Sequence, residues 1–176
     1  MGNFVYASPE AQALSVLGGY TAGCADRTLD PVNTILDGNQ TGTVLRLSAP
    51  YVAAEFLVEG LTLRKGSFSG LRVVVDGGGE VLVDNNSISD NTTSSEGGGV
   101  YLSATTATLT NNDISGNTAS SSSYGGGVYL RATSATLTNN DISGNTASSL
   151  RAPSYGGGAS IDYETTATEV SYFSAH

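Results

Sequence analysis

The chain has 176 residues with 23 Gly, nine Tyr, four Phe and no Trp, a balance that argues against a conventional bundle or sandwich. Seven Lys and Arg against 16 Asp and Glu leave a net charge of -9, which repels phosphate backbones and excludes nucleic acid as a partner. The single Cys24 has no mate for an internal disulfide, and no apolar run is long enough to span a bilayer.

The start lacks a basic stretch followed by an apolar one, so the export signal of an exported parent is expected to lie outside this chain. Ser8-Pro9-Glu10 carries the residues of a helix start, Ser as cap and Pro in the first turn, and one reading is a short capping helix. Ala13 to Tyr20 alternates like a strand, and that reading is preferred for it. Residues 1–33 are therefore expected to form an irregular first coil, 34–166 regular coils, and 167–176 an incomplete last one.

From Thr34 onward the chain repeats. Thr-Leu-Thr-Asn-Asn-Asp-Ile-Ser-Gly-Asn-Thr-Ala-Ser-Ser begins at Thr108 and again at Thr136. Asn85, Asn111 and Asn139 are spaced by 26 and 28 residues, and the Gly triplets at 97–99, 125–127 and 156–158 by 28 and 31. Each unit holds three short runs with alternate apolar residues, which is strand periodicity. The first run is Leu45-Arg46-Leu47, Leu71-Arg72-Val73, Val100-Tyr101-Leu102, Val128-Tyr129-Leu130 and Ala159-Ser160-Ile161. The second is Phe56-Leu57-Val58, Val81-Leu82-Val83, Ala107-Thr108-Leu109 and Ala135-Thr136-Leu137; the third contributes Leu63, Ile88, Ile114, Ile142 and Phe173.

Three strands per repeat, each above its predecessor at roughly 4.8 Å, describe an all-β, single-stranded parallel β-helix. Length divided by period predicts about five to six coils. Inward Leu and Ile columns then form the core, and Asn85, Asn111 and Asn139 are predicted to make a structural ladder of side-chain amides. Gly supplies tight corners, and the Ser-rich stretches after Thr118 and Thr146 read as loops.

Three outward columns are candidate sites. Arg46, Arg72, Tyr101 and Tyr129 would offer a flat strip for a glycan or partner protein, although strand propensity alone also places Tyr there. Asp37, Glu59 and Asp84 would stack like charges, which a bound Ca²⁺, salt bridges to Arg64 or Lys65, or divergence into solvent would relieve. Thr108, Thr110, Thr136 and Thr138 repeat the Thr-x-Thr of ice-binding β-helices, but Leu82 and Asp84 interrupt the array one coil earlier. Sequons stand at Asn39, Asn85 and Asn91.

Two short motifs recur, Gly-Gly-aliphatic from Gly98, Gly126 and Gly157 and Ile-x-x-Asn from Ile88, Ile114 and Ile142, and in them the repeats resemble those of bacterial right-handed parallel β-helix surface proteins, closest to the passenger repeats of polymorphic outer membrane proteins. The Gly-Gly-aliphatic motif of that family appears as Gly98-Gly99-Val100, Gly126-Gly127-Val128 and Gly157-Gly158-Ala159. Its Phe-x-x-Asn motif appears with Ile for Phe, at Ile88 to Asn91, Ile114 to Asn117 and Ile142 to Asn145. The resemblance implies a right-handed coil in an extracellular or surface protein that serves as spacer, adhesin or assembly module.

A carbohydrate-active lyase or hydrolase on the same fold is the alternative. The motifs of those families (Asn-Thr-Asp, Asp-Asp, Gly-His-Gly, Arg-Ile-Lys) are missing, and the only His is the last residue, His176. The expectation is a non-catalytic segment without a catalytic set or cofactor. Its open coil ends would allow self-association into filaments, or be covered by neighbouring segments of a longer parent.

Overall fold

The computed structural model describes residues 3–120, 124–148, 157–162 and 166–173, the last stretch as backbone only. Alternating apolar residues fold into short strands, and each strand pairs in parallel with a strand of an adjacent circuit. The result is a parallel β-helix with three main faces.

The first face stacks Phe4–Ala7, Thr43–Ala49, Ser69–Val75, the beginnings of Val100–Thr110 and Val128–Ser143, and Ala159–Ile161. The second stacks Ala13–Leu17, Glu55–Glu59, Glu80–Asp84 and the later parts of the two long strands. The third stacks Ile35–Asp37, Thr62–Arg64, Ser87–Ser89, Asp113–Ser115 and 141–143. A separate short ladder joins Thr92–Thr93, Thr118–Ala119 and Thr146–Ala147.

About four turns are regular, with first-face strands beginning at Thr43, Ser69, Val100 and Val128. Dividing length by period predicts more because the first circuit spends residues 18–34 on an excursion from the coil. Register shifts in Thr166–Phe173 also set Phe173 opposite Asp141 and not opposite Ile142. No helix forms at Ser8, whose hydroxyl instead closes a local turn with Glu10; the helical content of the described residues is one 3-10 turn, Pro31–Asn33. The Ser-rich stretches at 121–123 and 149–156 and the terminal His176 lie outside the described residues.

Identical register makes every inward position a column. On the second face the column shrinks from Phe56 to Val81 to Ala107 and stays small at Ala135, while Val73, Leu102 and Leu130 on the first face fill the space opposite. Leu63, Ile88, Ile114 and Ile142 close the third side. Such a dry, interdigitated interior is worth about 1.5–3 kcal/mol per large side chain buried.

The amide ladder exists, but one residue along from its predicted place. Asn85, Asn111 and Asn139 share a column with φ of 53°, 55° and 55°, and it is their tolerance of the left-handed region that the corner uses. Their successors Asn86, Asn112 and Asn140 point inward and are buried. Asn112 Oδ1 accepts from both the backbone N–H and the side-chain amide of Asn86, at 3.0 Å each, and Asn140 Oδ1 does the same for Asn112. A second ladder runs through Asn91, Asn117 and Asn145 at the next corner. Side-chain amides also donate to the carbonyls of Val58, Val83, Leu109, Leu63, Ile88 and Ile114. Among the described residues no buried side-chain polar atom lacks a partner. That satisfaction is what permits so many buried amides.

Candidate functional site

On the first face the register sets Arg46 opposite Arg72, Arg72 opposite Tyr101, and Tyr101 opposite Tyr129, so the four predicted residues do form one outward column. The Arg72 guanidinium lies 3.8 Å over the Tyr101 ring, a cation–π contact. Tyr101 and Tyr129 stack with centroids 5.3 Å apart and planes inclined by 26°. Both rings are half-buried, not the fully exposed pair the alternation predicts. Stacking runs along the coil axis, so Arg72 and Tyr129 occupy the two faces of Tyr101. Both faces of Tyr101 are thus spent inside the column, whereas Tyr129 has Ser160 as its neighbour on the next rung.

Tyr129 anchors the upper end by donating its hydroxyl hydrogen to Asp162 Oδ2 at 3.2 Å. Partial burial, followed by the Asp162 charge, pushes its pKa up to about 12. Because the folded chain holds this proton more tightly than the unfolded one, the contribution is complete below pH 10 and is lost as pH rises through about 12. A titration followed by tyrosinate absorbance is expected to show this phenol titrating late, and Asp162→Asn is expected to bring it only part of the way back, because the burial remains.

The predicted acidic column is divided between faces. Glu59 and Asp84 are neighbours on the second face, but Asp37 lies on the third, opposite Arg64. Asp37 accepts from Arg64 Nε at 2.9 Å and has Lys65 Nζ at 3.7 Å. The backbone N–H of Asn39 and, after it, the Arg64 side chain hold its carboxyl below the ordinary value. Glu59 pairs with Arg27, and Asp84 accepts from Thr110 Oγ1 and Asn111 Nδ2 at 2.8 and 2.9 Å. Of the remedies weighed for the like charges, salt bridges are the one present at Asp37. No three His, Cys, Asp or Glu among the described residues converge as a metal site would require.

Arg27 reaches Glu59 from the 18–34 excursion, where its Nε also donates to Gly18 O at 2.9 Å. Asn85 Nδ2 ties the same excursion to the coil through Leu29 O at 2.7 Å. Cys24 sits exposed at its tip with φ 56°. Of the three sequons only Asn39 is exposed, since Asn85 is tied to the excursion and Asn91 is inside the ladder.

The alternation in the sequence left one feature unremarked. Glu55 and Glu80 stand opposite each other on the second face, where a groove of about 320 Å³ runs past Ser15, Leu57, Leu82, Thr106 and Thr108. Its signal was legible, since a Glu immediately precedes the inward apolar residue in both Glu55-Phe56 and Glu80-Val81. Thr108 and Thr136 continue the Leu57–Leu82 column, so hydroxyls cover only its later rungs, as the sequence predicts.

No helix among the described residues is long and apolar enough to cross a membrane. A family model for a right handed beta helix region matches residues 33–171. No curated protein and no solved structure matches the chain.

Proposed function

The chain belongs to the right-handed β-helix family, and from that premise we propose that it is a non-catalytic structural or adhesive segment of a secreted or cell-surface protein, one that stacks end to end with further copies. The observation that carries this reading is the state of the first rung. Phe4, Tyr6, Leu14, Val16 and Leu36 continue the inward columns, yet Phe4 is 46% exposed and the others are half-buried. One rung further in, Leu45, Leu47, Phe56, Val58 and Leu63 are buried at 0–3%. Phe4–Ala7, Ala13–Leu17 and Ile35–Asp37 each pair on one side only, which leaves strand edges in register for another rung. The last first-face strand among the described residues, Ala159–Ile161, presents small Ala159 in the column where an added copy would bring Phe4, and Ile161 where it would bring Tyr6. Large side chains over small ones suit continuous packing.

Non-catalytic work is supported by two of the three acidic residues that the sequence singled out. Asp37 and Glu59 lie on different faces and are each tied to an arginine, an arrangement that serves rigidity better than proton transfer.

The test is light scattering and electron microscopy across concentration, comparing the chain with Phe4→Lys. In a single chain the lysine reaches water from this half-open position, whereas in a stack it would be an unpaired buried charge. The expected result is concentration-dependent filaments that lengthen along the coil axis for the chain, and no such axial growth for Phe4→Lys. A wild-type chain that stays monomeric throughout overturns the end-to-end reading.

A further inference from the structure

All but two of the described cations are answered within the chain. Arg27 has Glu59, Arg64 and Lys65 have Asp37, and Arg131 has Asp162. Arg46 and Arg72 have no ion pair or hydrogen bond among the described residues, yet they stand opposite each other in register, about one strand spacing of 4.8 Å apart. Like charges so placed repel unless an anion lies between or beside them. Arg72 is moreover held in place on the Tyr101 ring, so its outward edge is presented in a fixed position.

Glu55 and Glu80 are the converse. They face each other in register on the second face, exposed and with no cation among the described residues paired to them. Both pairs occupy the same two rungs: Arg46 and Glu55 share one circuit, and Arg72 and Glu80 the next. The coil sets both repeats, so their spacings are equal by construction. One circuit higher, Tyr101 continues the arginine ridge while Thr106 and Thr108 continue the glutamate groove.

We propose that the first-face ridge of one copy docks sideways into the second-face groove of another copy, with coil axes parallel and rungs level. Arg46 then meets Glu55, Arg72 meets Glu80, and the Tyr101 edge reaches the hydroxyls of Thr106 and Thr108. The arginine stems cover Leu57 and Leu82, the second of which is 38% exposed in the single chain. Arg–carboxylate forks supply orientation and charge complementarity, and the leucine floor supplies the apolar area. Each contact joins different surfaces of the two partners, so it is heterologous and able to propagate. It is distinct from rung-end stacking and requires no open end.

The experiment is sedimentation velocity in the Phe4→Lys background, where rung-end stacking is blocked, at low and at high salt. The expected result is reversible association that weakens as salt is added. Arg46→Glu with Arg72→Glu, or Glu55→Arg with Glu80→Arg, should each weaken it by about tenfold or more. An equimolar mixture of the two reversed chains should recover it, because each then offers the charge the other needs. That recovery also shows that both variants are folded. Association that ignores the reversals, or a mixture no better than its components, overturns the proposal. So does a chain that remains monomeric at low salt but binds a sulfated glycan matrix through Arg46 and Arg72, which would reassign the ridge to an anionic saccharide.

Discussion

Replacing Asn117 by alanine is expected to lower stability by about 3–5 kcal/mol, a large share of what a domain of this size possesses. Asn117 is fully buried, and its side chain is the middle of the second ladder. Its Oδ1 accepts from the Asn91 backbone N–H and side-chain amide at 3.0 Å each, and its Nδ2 donates to Ile88 O at 2.8 Å and to Asn145 Oδ1 at 3.0 Å. Alanine leaves the Asn91 backbone N–H and the Ile88 carbonyl unpaired where no solvent reaches, and each such group costs about 1–3 kcal/mol. A small cavity adds to the loss. The contrast is Asn111→Gly, which changes an exposed corner residue at φ 55°, gives up one solvent-exposed hydrogen bond to Asp84, and should cost about 1 kcal/mol or less. Urea unfolding of the two variants decides the matter. Equal losses, or a larger one for Asn111→Gly, would show that the buried amides do not bind the rungs together.

Gly98→Ala is expected to cost about 3 kcal/mol or more, at the upper end of overpacking effects. A Cβ there would lie 2.5 Å from Gly126 O and 2.7 Å from Thr118 O. Both obstacles are backbone, and neither can move without opening the rung spacing. That spacing is fixed by Gly98 N–H to Gly125 O at 3.2 Å and by the ladder beside it. Gly144→Ala is the control. Gly144 has φ 60° but its nearest obstacle is 3.9 Å away, so it should lose only the conformational cost of about 1–2 kcal/mol. If the two variants unfold at the same urea concentration, steric closure of the Gly corner is not what constrains it.

These two sites show what a repeat spells out and what it hides. The Gly-Gly-aliphatic and Ile-x-x-Asn motifs mark the corner at Gly98 and the ladder at Asn117, because stacking puts like residues over like and selects them at each rung. The doublets Asn85-Asn86, Asn111-Asn112 and Asn139-Asn140 have the same spacing for both members. Spacing therefore could not say which asparagine turns the corner and which enters the core. The choice follows from φ: the first member takes the left-handed value, and that rotation turns the second one inward.

The candidate sites divide in the same way. That Arg46, Arg72, Tyr101 and Tyr129 share an outward column was determined by the sequence alone, since strand alternation fixes inside from outside once the repeats are aligned. The position of Asp37 was not. Leu36-Asp37-Gly38 and Val58-Glu59-Gly60 read alike because an apolar residue, an acid and a Gly end a strand at more than one corner of each circuit. The 18–34 excursion precedes Asp37 by an irregular length, so counting residues cannot assign its face, and only the pairing of Ile35–Asp37 with Thr62–Arg64 does so. Charge partners were hidden for a related reason. Arg27 and Glu59 are 32 residues apart and meet only because that excursion folds back on the coil, whereas Arg46 and Arg72 find no carboxylate among the described residues. Periodic sequence determines columns, because each column is a local alternation repeated. Tertiary structure decides which columns adjoin, because that depends on corner and loop lengths that carry no period.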